Sequence, residues 1–213
     1  PKQLYCRGNI SLLNSSCFAV VGTRKLTSYG KDAAQKITTG LVQAGFTIVS
    51  GLAMGVDAVA HQTTVDVGGK TIAVLGGGVD DKSIGPQINF KLSTDILKNN
   101  GLIISEYPEG FHPNDKTFPQ RNRIISGLSC GILVVEADEK SGALITAHCA
   151  LDQNRDVFAI PGNIFSSKSL GPNNLIKKGA KLVASAQDII DEYGYNLHLF
   201  DGNNDTVSAK TPA

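Results

Sequence analysis

The sequence predicts an α/β domain, a doubly wound, mostly parallel sheet with helices on both faces, and three observations carry that expectation. Short β-branched runs alternate with longer segments of helical period along most of the chain, the pattern of strands joined by crossover helices. Successive strand runs end in glycine or small polar residues: Gly22-Thr23, Ser50-Gly51, Gly76-Gly77-Gly78 and Pro161-Gly162. Such endings suit the tight turns at the carboxyl ends of parallel strands, where ligands of open sheets bind. The chain has 213 residues, 41% of them hydrophobic, enough to bury roughly 70% of its unfolded surface around one core.

Each element follows from its own stretch of sequence. The β-branched or apolar runs Cys17–Val21, Thr47–Ser50, Thr71–Leu75, Leu102–Ser105, Gly131–Glu136, Val157–Ile160 and Lys181–Val183 read as strands. Between and after them, Ser28–Gln43, Val56–Val67, Gln87–Asn99, Arg121–Leu128, Ala143–Leu151, Pro172–Lys178 and Ala186–Glu192 carry the helical period. Pro86 and Pro172 suit first-turn positions, where a missing N–H costs nothing. Residues 1–15 read as a lead-in, 16–195 as the domain, and 196–213 as a linker or disordered tail, because the last stretch has few apolar residues and no period. The chain opens on Pro1 without a methionine, so it is expected to be part of a longer protein.

Charge and cysteine usage narrow the function classes. A net charge of +1 gives no global field for a polyanion, so any nucleic-acid affinity has to come from a local basic cluster. Cys6, Cys17, Cys130 and Cys149 form no CxxC pair and no zinc spacing, and they read as reduced structural thiols. His112, His148 and His198 have no partner at metal-ligand spacing, and no metal is expected. The apolar runs stop after four to seven residues, well short of a membrane span, which leaves a soluble cytoplasmic protein as the expectation.

Four stretches carry possible chemistry. In FAVVGTRKLTSYG, Gly22 lets the backbone approach an oxyanion, Thr23 and Arg24 follow, and a helix begins just after. A phosphate is the natural ligand of such a turn, although a plain strand-to-helix turn with a surface arginine has the same sequence. The GxGxxG spacing of a dinucleotide fold is absent, as is an acidic residue at the end of the second strand. In SGLAMGVDAVAH, Asp57 and His61 lie four residues apart, a catalytic or metal pair by spacing, or an aspartate placed by the helix dipole.

The stretch EYPEGFHPNDKTFPQRNRIISGLS gathers Lys116, Phe118, Arg121 and Arg123 within eight residues. Two guanidinium groups, an ammonium and a ring can follow a flexible phosphate chain and stack a base. The competing reading buries Phe118 and ties the arginines to carboxylates such as Glu106. In Glu136–Gly142, Lys140, Ser141 and Gly142 can meet a phosphate at a helix start, or Ser141 can be a simple N-cap. The later run IPGNIFSSKSLGPNNLIKKGAK reads as a capping loop over the sheet edge.

Taken in order, GTR, SGLAMGVDAVAH, SEYP, FPQRNRIISGLS, VVEADEKSGALITA and PGNIFSSKSLGPNNLIKKGA closely resemble the DNA-processing protein A (DprA, or Smf) family over about residues 3–193, including the lead-in YCRGNISLLN. The resemblance implies a Rossmann-like domain without catalysis or cofactor. It implies a homodimer that binds single-stranded DNA regardless of sequence, protects incoming strands, and helps load the RecA recombinase in natural transformation. It places Gly22, Thr23 and Arg24, Lys116 and Phe118, Arg121, Asn122 and Arg123, and Lys140, Ser141 and Gly142 at or near the DNA. Two positions depart from the family pattern. Asp115 stands three before Phe118, where a basic residue is common, and Ile84-Gly85-Pro86 replaces a tyrosine-proline pair. Two other readings stay open: a nucleotide-binding sensor, and a phosphoribohydrolase-like enzyme of related fold. The latter needs a helix carboxylate that SGALITAHCAL does not supply before Asp152.

Overall fold

The computed structural model describes residues 1–194, so residues 196–213 and His198 lie outside the described residues. Eight strands form one sheet: β1 (Tyr5–Gly8), β2 (Cys17–Val21), β3 (Thr47–Ser50), β4 (Thr71–Leu75), β5 (Leu102–Ser105), β6 (Gly131–Val134), β7 (Asp156–Ala159) and β8 (Lys181–Leu182). Their order is β1-β5-β4-β3-β2-β6-β7-β8. Every pairing is parallel except that of β1 with β5, where Cys6 faces Ile104.

Among the described residues seven α-helices lie between and after them: α1 (Ser28–Gln43), α2 (Val56–Asp66), α3 (Phe90–Lys98), α4 (Thr117–Leu128), α5 (Gly142–Asp152), α6 (Leu170–Lys177) and α7 (Gln187–Tyr193). The alternation within each strand sends neighbouring residues to opposite faces. Ala19, Val49, Ile72 and Ile132 pack with Ile124 and Ile125 of α4, Ala147 of α5 and Leu175 of α6. Val20, Ile48 and Leu133 pack with Ile37 and Leu41 of α1, Ala60 of α2 and Ile189 of α7, and Ala73 and Ile103 meet Leu92 and Ile96 of α3 beside them. The sheet is thus covered on both sides, the doubly wound arrangement the sequence predicts.

Several element ends shift by one to three residues from expectation, and two elements differ further. The lead-in supplies an edge strand, β1, anchored by an ion pair of Arg7 with Asp81. Helix α4 starts at Thr117 rather than Arg121, with Pro119 in its first turn, where proline is tolerated because that N–H has no helical partner. Among the described residues, no helix is long and apolar enough to cross a membrane, and no cluster of histidine, cysteine or carboxylate suits a metal ion. The four cysteines are free thiols.

The strand order reverses between β2 and β6. Chain leaving β2 runs outward through β3, β4 and β5, whereas β6 lies on the other side of β2. The carboxyl ends of these two strands bound the crevice where open parallel sheets take ligands.

Candidate nucleic-acid interface

A cleft of about 460 Å³ opens at that crevice, lined by Val21–Lys25 at the end of β2, by Asp138 and Lys140–Ala143 after β6, and by Phe118, Arg121 and Asn122 of α4. Its first wall is shaped by glycine. A Cβ on Gly22 would come within 2.9 Å of the Glu136 carbonyl oxygen, so only glycine lets β2 turn here. Glu136, buried at the end of the neighbouring strand, then fixes the turn. Its carbonyl accepts the Thr23 N–H at 2.7 Å, and its carboxylate accepts the Thr27 N–H at 2.9 Å and the Thr27 hydroxyl at 2.6 Å. Held at both ends, the turn presents Arg24 and Lys25 to solvent.

Arg24 lies over the ring of Phe118, 5.1 Å from guanidinium carbon to centroid. The ring is half-buried, and a Cβ on Gly76 would stand 3.2 Å from its Cδ1. Phe118 therefore sits against the glycine turn after β4 and beneath the Arg24 guanidinium. A cation over a ring gains electrostatic attraction from the ring face, which favours this position of the guanidinium.

Arg121 belongs to the same cleft but is buried. Its Nη1 donates to the carbonyls of Gly51, at 2.7 Å, and Val74, joining the carboxyl ends of β3 and β4. Burial lowers its pKa to about 10, opposed by the nearby Asp57 carboxylate and reinforced by Arg24. Asp57, held by the Gly51 N–H at 3.1 Å, is pushed upward by its own burial and pulled back by Arg121. Asn122 accepts from Arg121 Nε at 3.2 Å and donates to the Gly142 carbonyl at 3.1 Å, tying α4 to the start of α5. His61 is spent on the core, with Nδ1 2.7 Å from the Thr71 hydroxyl. That hydroxyl donates to the Ile48 carbonyl, so Nδ1 is the donor to it.

The third wall is the turn into α5. Ser141 caps the helix by accepting the Ala143 N–H, and Lys140 and Gly142 are exposed beside it. Ser141 as an N-cap and a phosphate-facing helix start are compatible here, because the cap uses the hydroxyl while the dipole still points outward. Of the expected residues, Gly22, Thr23, Arg24, Phe118, Arg121, Asn122, Lys140, Ser141 and Gly142 line the cleft. Lys116 and Arg123 do not: Lys116 stands exposed at the N-cap of α4, and Arg123 pairs with Glu106.

Sequence reasoning passed over Lys25, Asp138, Lys168 and the supporting Glu136. Lys168, from the loop after β7, also lines the cleft and pairs with Asp138 at 2.6 Å. The hydrogen bond from Lys168 holds the Asp138 carboxyl below its usual range. The strand-end rule that found the other walls applies to this loop as well. In all, five cationic side chains face three carboxylates across the cleft. Asp57 is offset by Arg121 and Asp138 by Lys168, while Arg24, Lys25 and Lys140 form no ion pair among the described residues.

Comparison with known proteins decides the lineage. The family model for DNA recombination-mediator protein A matches residues 1–194. The chain belongs to that family. Protein Smf of Escherichia coli (strain K12) is 44% identical over 93% of the chain, which spans only 52% of that relative's length. The structure of DNA processing protein A from Streptococcus pneumoniae superposes with a TM-score of 0.84 at 44% identity, covering 89% of this chain and 65% of that one. DNA processing protein A from Helicobacter pylori, which has its own single-stranded DNA binding mode, superposes at 0.83 with 34% identity, over 92% of this chain and 88% of that one. More distant neighbours, such as the molybdenum cofactor binding protein of Rippkaea orientalis at 17% identity and a TM-score of 0.59, share the fold alone.

Proposed function

We propose that the protein binds single-stranded DNA in this cleft without reading its sequence. In the same proposal it acts in the cytoplasm as a homodimer that protects incoming strands and helps load the RecA recombinase during natural transformation. The observation that carries the proposal is the set of cations Arg24, Lys25 and Lys140, without ion pairs among the described residues, with the Arg24 guanidinium over the Phe118 ring, at the point where the strand order reverses. Backbone-following cations beside an aromatic surface make a sequence-tolerant site for a single strand. The single-stranded DNA binding mode of the Helicobacter pylori relative supports the same ligand. The fold argues less for a hydrolase, since α5 has no acidic residue in its first turn.

The test is a titration with thymine and mixed-sequence oligonucleotides at several salt concentrations. All sequences are expected to bind alike, with each phosphate contact adding about 0.7 to the log-log salt slope. Arg24→Ala is expected to weaken every sequence equally and to reduce the slope by about that amount. Unchanged affinity and slope in this variant would remove the loop from the site. RecA-catalysed ATP hydrolysis on the same oligonucleotides reads the loading step, with stimulation by the parent protein and none by Arg24→Ala expected. Release of free base from nucleoside monophosphates would instead favour an enzyme.

A further inference from the structure

The loop after β7 ends in an apolar tip that no packing role explains: Ile164 is 74% exposed and Phe165 is 92% exposed. A phenylalanine standing almost wholly in water gains nothing for the fold. The tip is nevertheless built. Asn163 accepts the Phe165 N–H at 2.9 Å through its side chain and the Ser166 N–H at 3.0 Å through its carbonyl. Ser166 caps the following short turn by accepting the Lys168 N–H at 3.3 Å.

The base of the loop is joined to the cleft. Ala137 N–H donates to the Lys168 carbonyl at 2.8 Å, and Gly171 N–H returns a bond to the Ala137 carbonyl at 2.9 Å. On the other side, the Tyr29 hydroxyl donates to the Pro161 carbonyl at 2.7 Å. Lys168 itself lines the cleft. Phe165 lies three positions before it, so the two backbones are within about 11 Å of each other. From Gly162 to Leu170 the loop carries no acidic residue and one lysine.

We propose that Phe165 is an outer stacking platform for the same single strand, so that the DNA path leaves the cleft past Lys168 and lays a base on the exposed ring. This rests on the reading of the cleft as a single-stranded DNA site. The occupant is a continuing strand rather than an apolar partner because the loop has no acidic residue and adjoins a cleft lined by more cations than carboxylates, which draws in phosphates and leaves bases free to stack. A short oligonucleotide fills the inner cleft alone, and a longer one reaches Phe165 too.

The experiment compares thymine oligonucleotides of about 4 and about 16 nucleotides on the parent chain, Phe165→Ala, Phe165→Trp and Arg24→Ala. Phe165→Ala is expected to weaken the long oligonucleotide roughly fivefold or more and to leave the short one unchanged. Because the chain has no tryptophan, Phe165→Trp adds a single indole, whose emission is expected to be quenched by the long oligonucleotide only. Arg24→Ala is expected to weaken both lengths. If the parent binds both lengths and Phe165→Ala matches it on both, with no quenching in Phe165→Trp, the outer platform is wrong and the inner site stands. If the parent binds neither length, both readings fall. If Phe165→Ala changes the sedimentation coefficient but not the DNA affinity, the tip is a contact between copies of the chain and the platform is overturned.

Discussion

Arg24 and Arg121 reach one cleft in opposite states of solvation, and that difference fixes what each can do. Arg121 spends its donors on the Gly51 and Val74 carbonyls and its charge on Asp57. Arg121→Ala leaves buried carbonyls and a buried carboxylate uncompensated, and the expected loss is about 3–5 kcal/mol, read from the urea midpoint. Arg24 is exposed, so Arg24→Ala is expected to stay within about 0.5 kcal/mol of the parent while losing DNA affinity. The pair of variants separates folding from binding, and equal destabilisation by both would refute this division. A gain is expected at Asp138. Its carboxylate occupies the Lys168 ammonium, so Asp138→Asn frees a cation at the rim. Oligonucleotide affinity should rise and the salt slope steepen by about 0.7, and a titration showing weaker binding would contradict the arrangement. Asn122 entered only through the family resemblance, while the clustering of Arg121 and Arg123 was legible in the sequence. Which arginine turned inward was not, because the phase of α4 depends on its start at Thr117, ahead of a proline that sequence reading leaves in the loop.

At the scale of elements, the loops after the strands make the site, and a contact between α2 and the arginine turn helps to set their relative placement. Gly55, the N-cap of α2, has φ +82°, and a Cβ there would meet the Thr23 carbonyl oxygen and the Arg24 backbone. Val56 N–H, next along, donates to that same Thr23 carbonyl at 3.2 Å. Gly55→Ala therefore adds both backbone strain and a displacement of the turn. The expected cost is about 1–3 kcal/mol in denaturant unfolding, with weaker DNA binding even under conditions where the variant is fully folded. Normal affinity in the folded variant would show that α2 does not position Arg24. Of the elements themselves, β2, β3, β4, β5 and α1 were legible to the residue, since buried parallel strands are continuous apolar runs bounded by glycine or charge. Strand β1 was not. It is four residues long at the sheet edge with two of them exposed, and its pairing with β5 is a long-range fact that no local period records.

For the whole molecule, the doubly wound order follows from local alternation, while the position of the cleft follows from where the order reverses, which no single segment encodes. The same architecture buries titratable groups under the ligand face and so links global stability to pH. His61 is fully buried between α2 and β4, and burial, reinforced by the field of Arg121, pushes its pKa down to about 3. Unfolding returns it to an ordinary value near 6.5. Between those values the unfolded chain binds a proton that the folded chain refuses, so stability is complete above about pH 6.5 and falls as the pH drops. The slope is up to about 1.4 kcal/mol per pH unit. Asp57 works in the opposite sense. Its raised pKa means that its contribution is greatest at low pH and declines as the pH rises from about 3.9 through the folded-state value. Net curves for the parent therefore mix the two, and the decisive comparison is between the parent and His61→Gln from pH 7.5 to 5. Whatever the variant costs at neutral pH, its deficit is expected to shrink by up to about 1.4 kcal/mol for each unit below pH 6.5, because only the parent carries a histidine that must stay neutral to remain folded. Parallel urea-midpoint curves for the two proteins across that range would show that His61 titrates normally in the folded state.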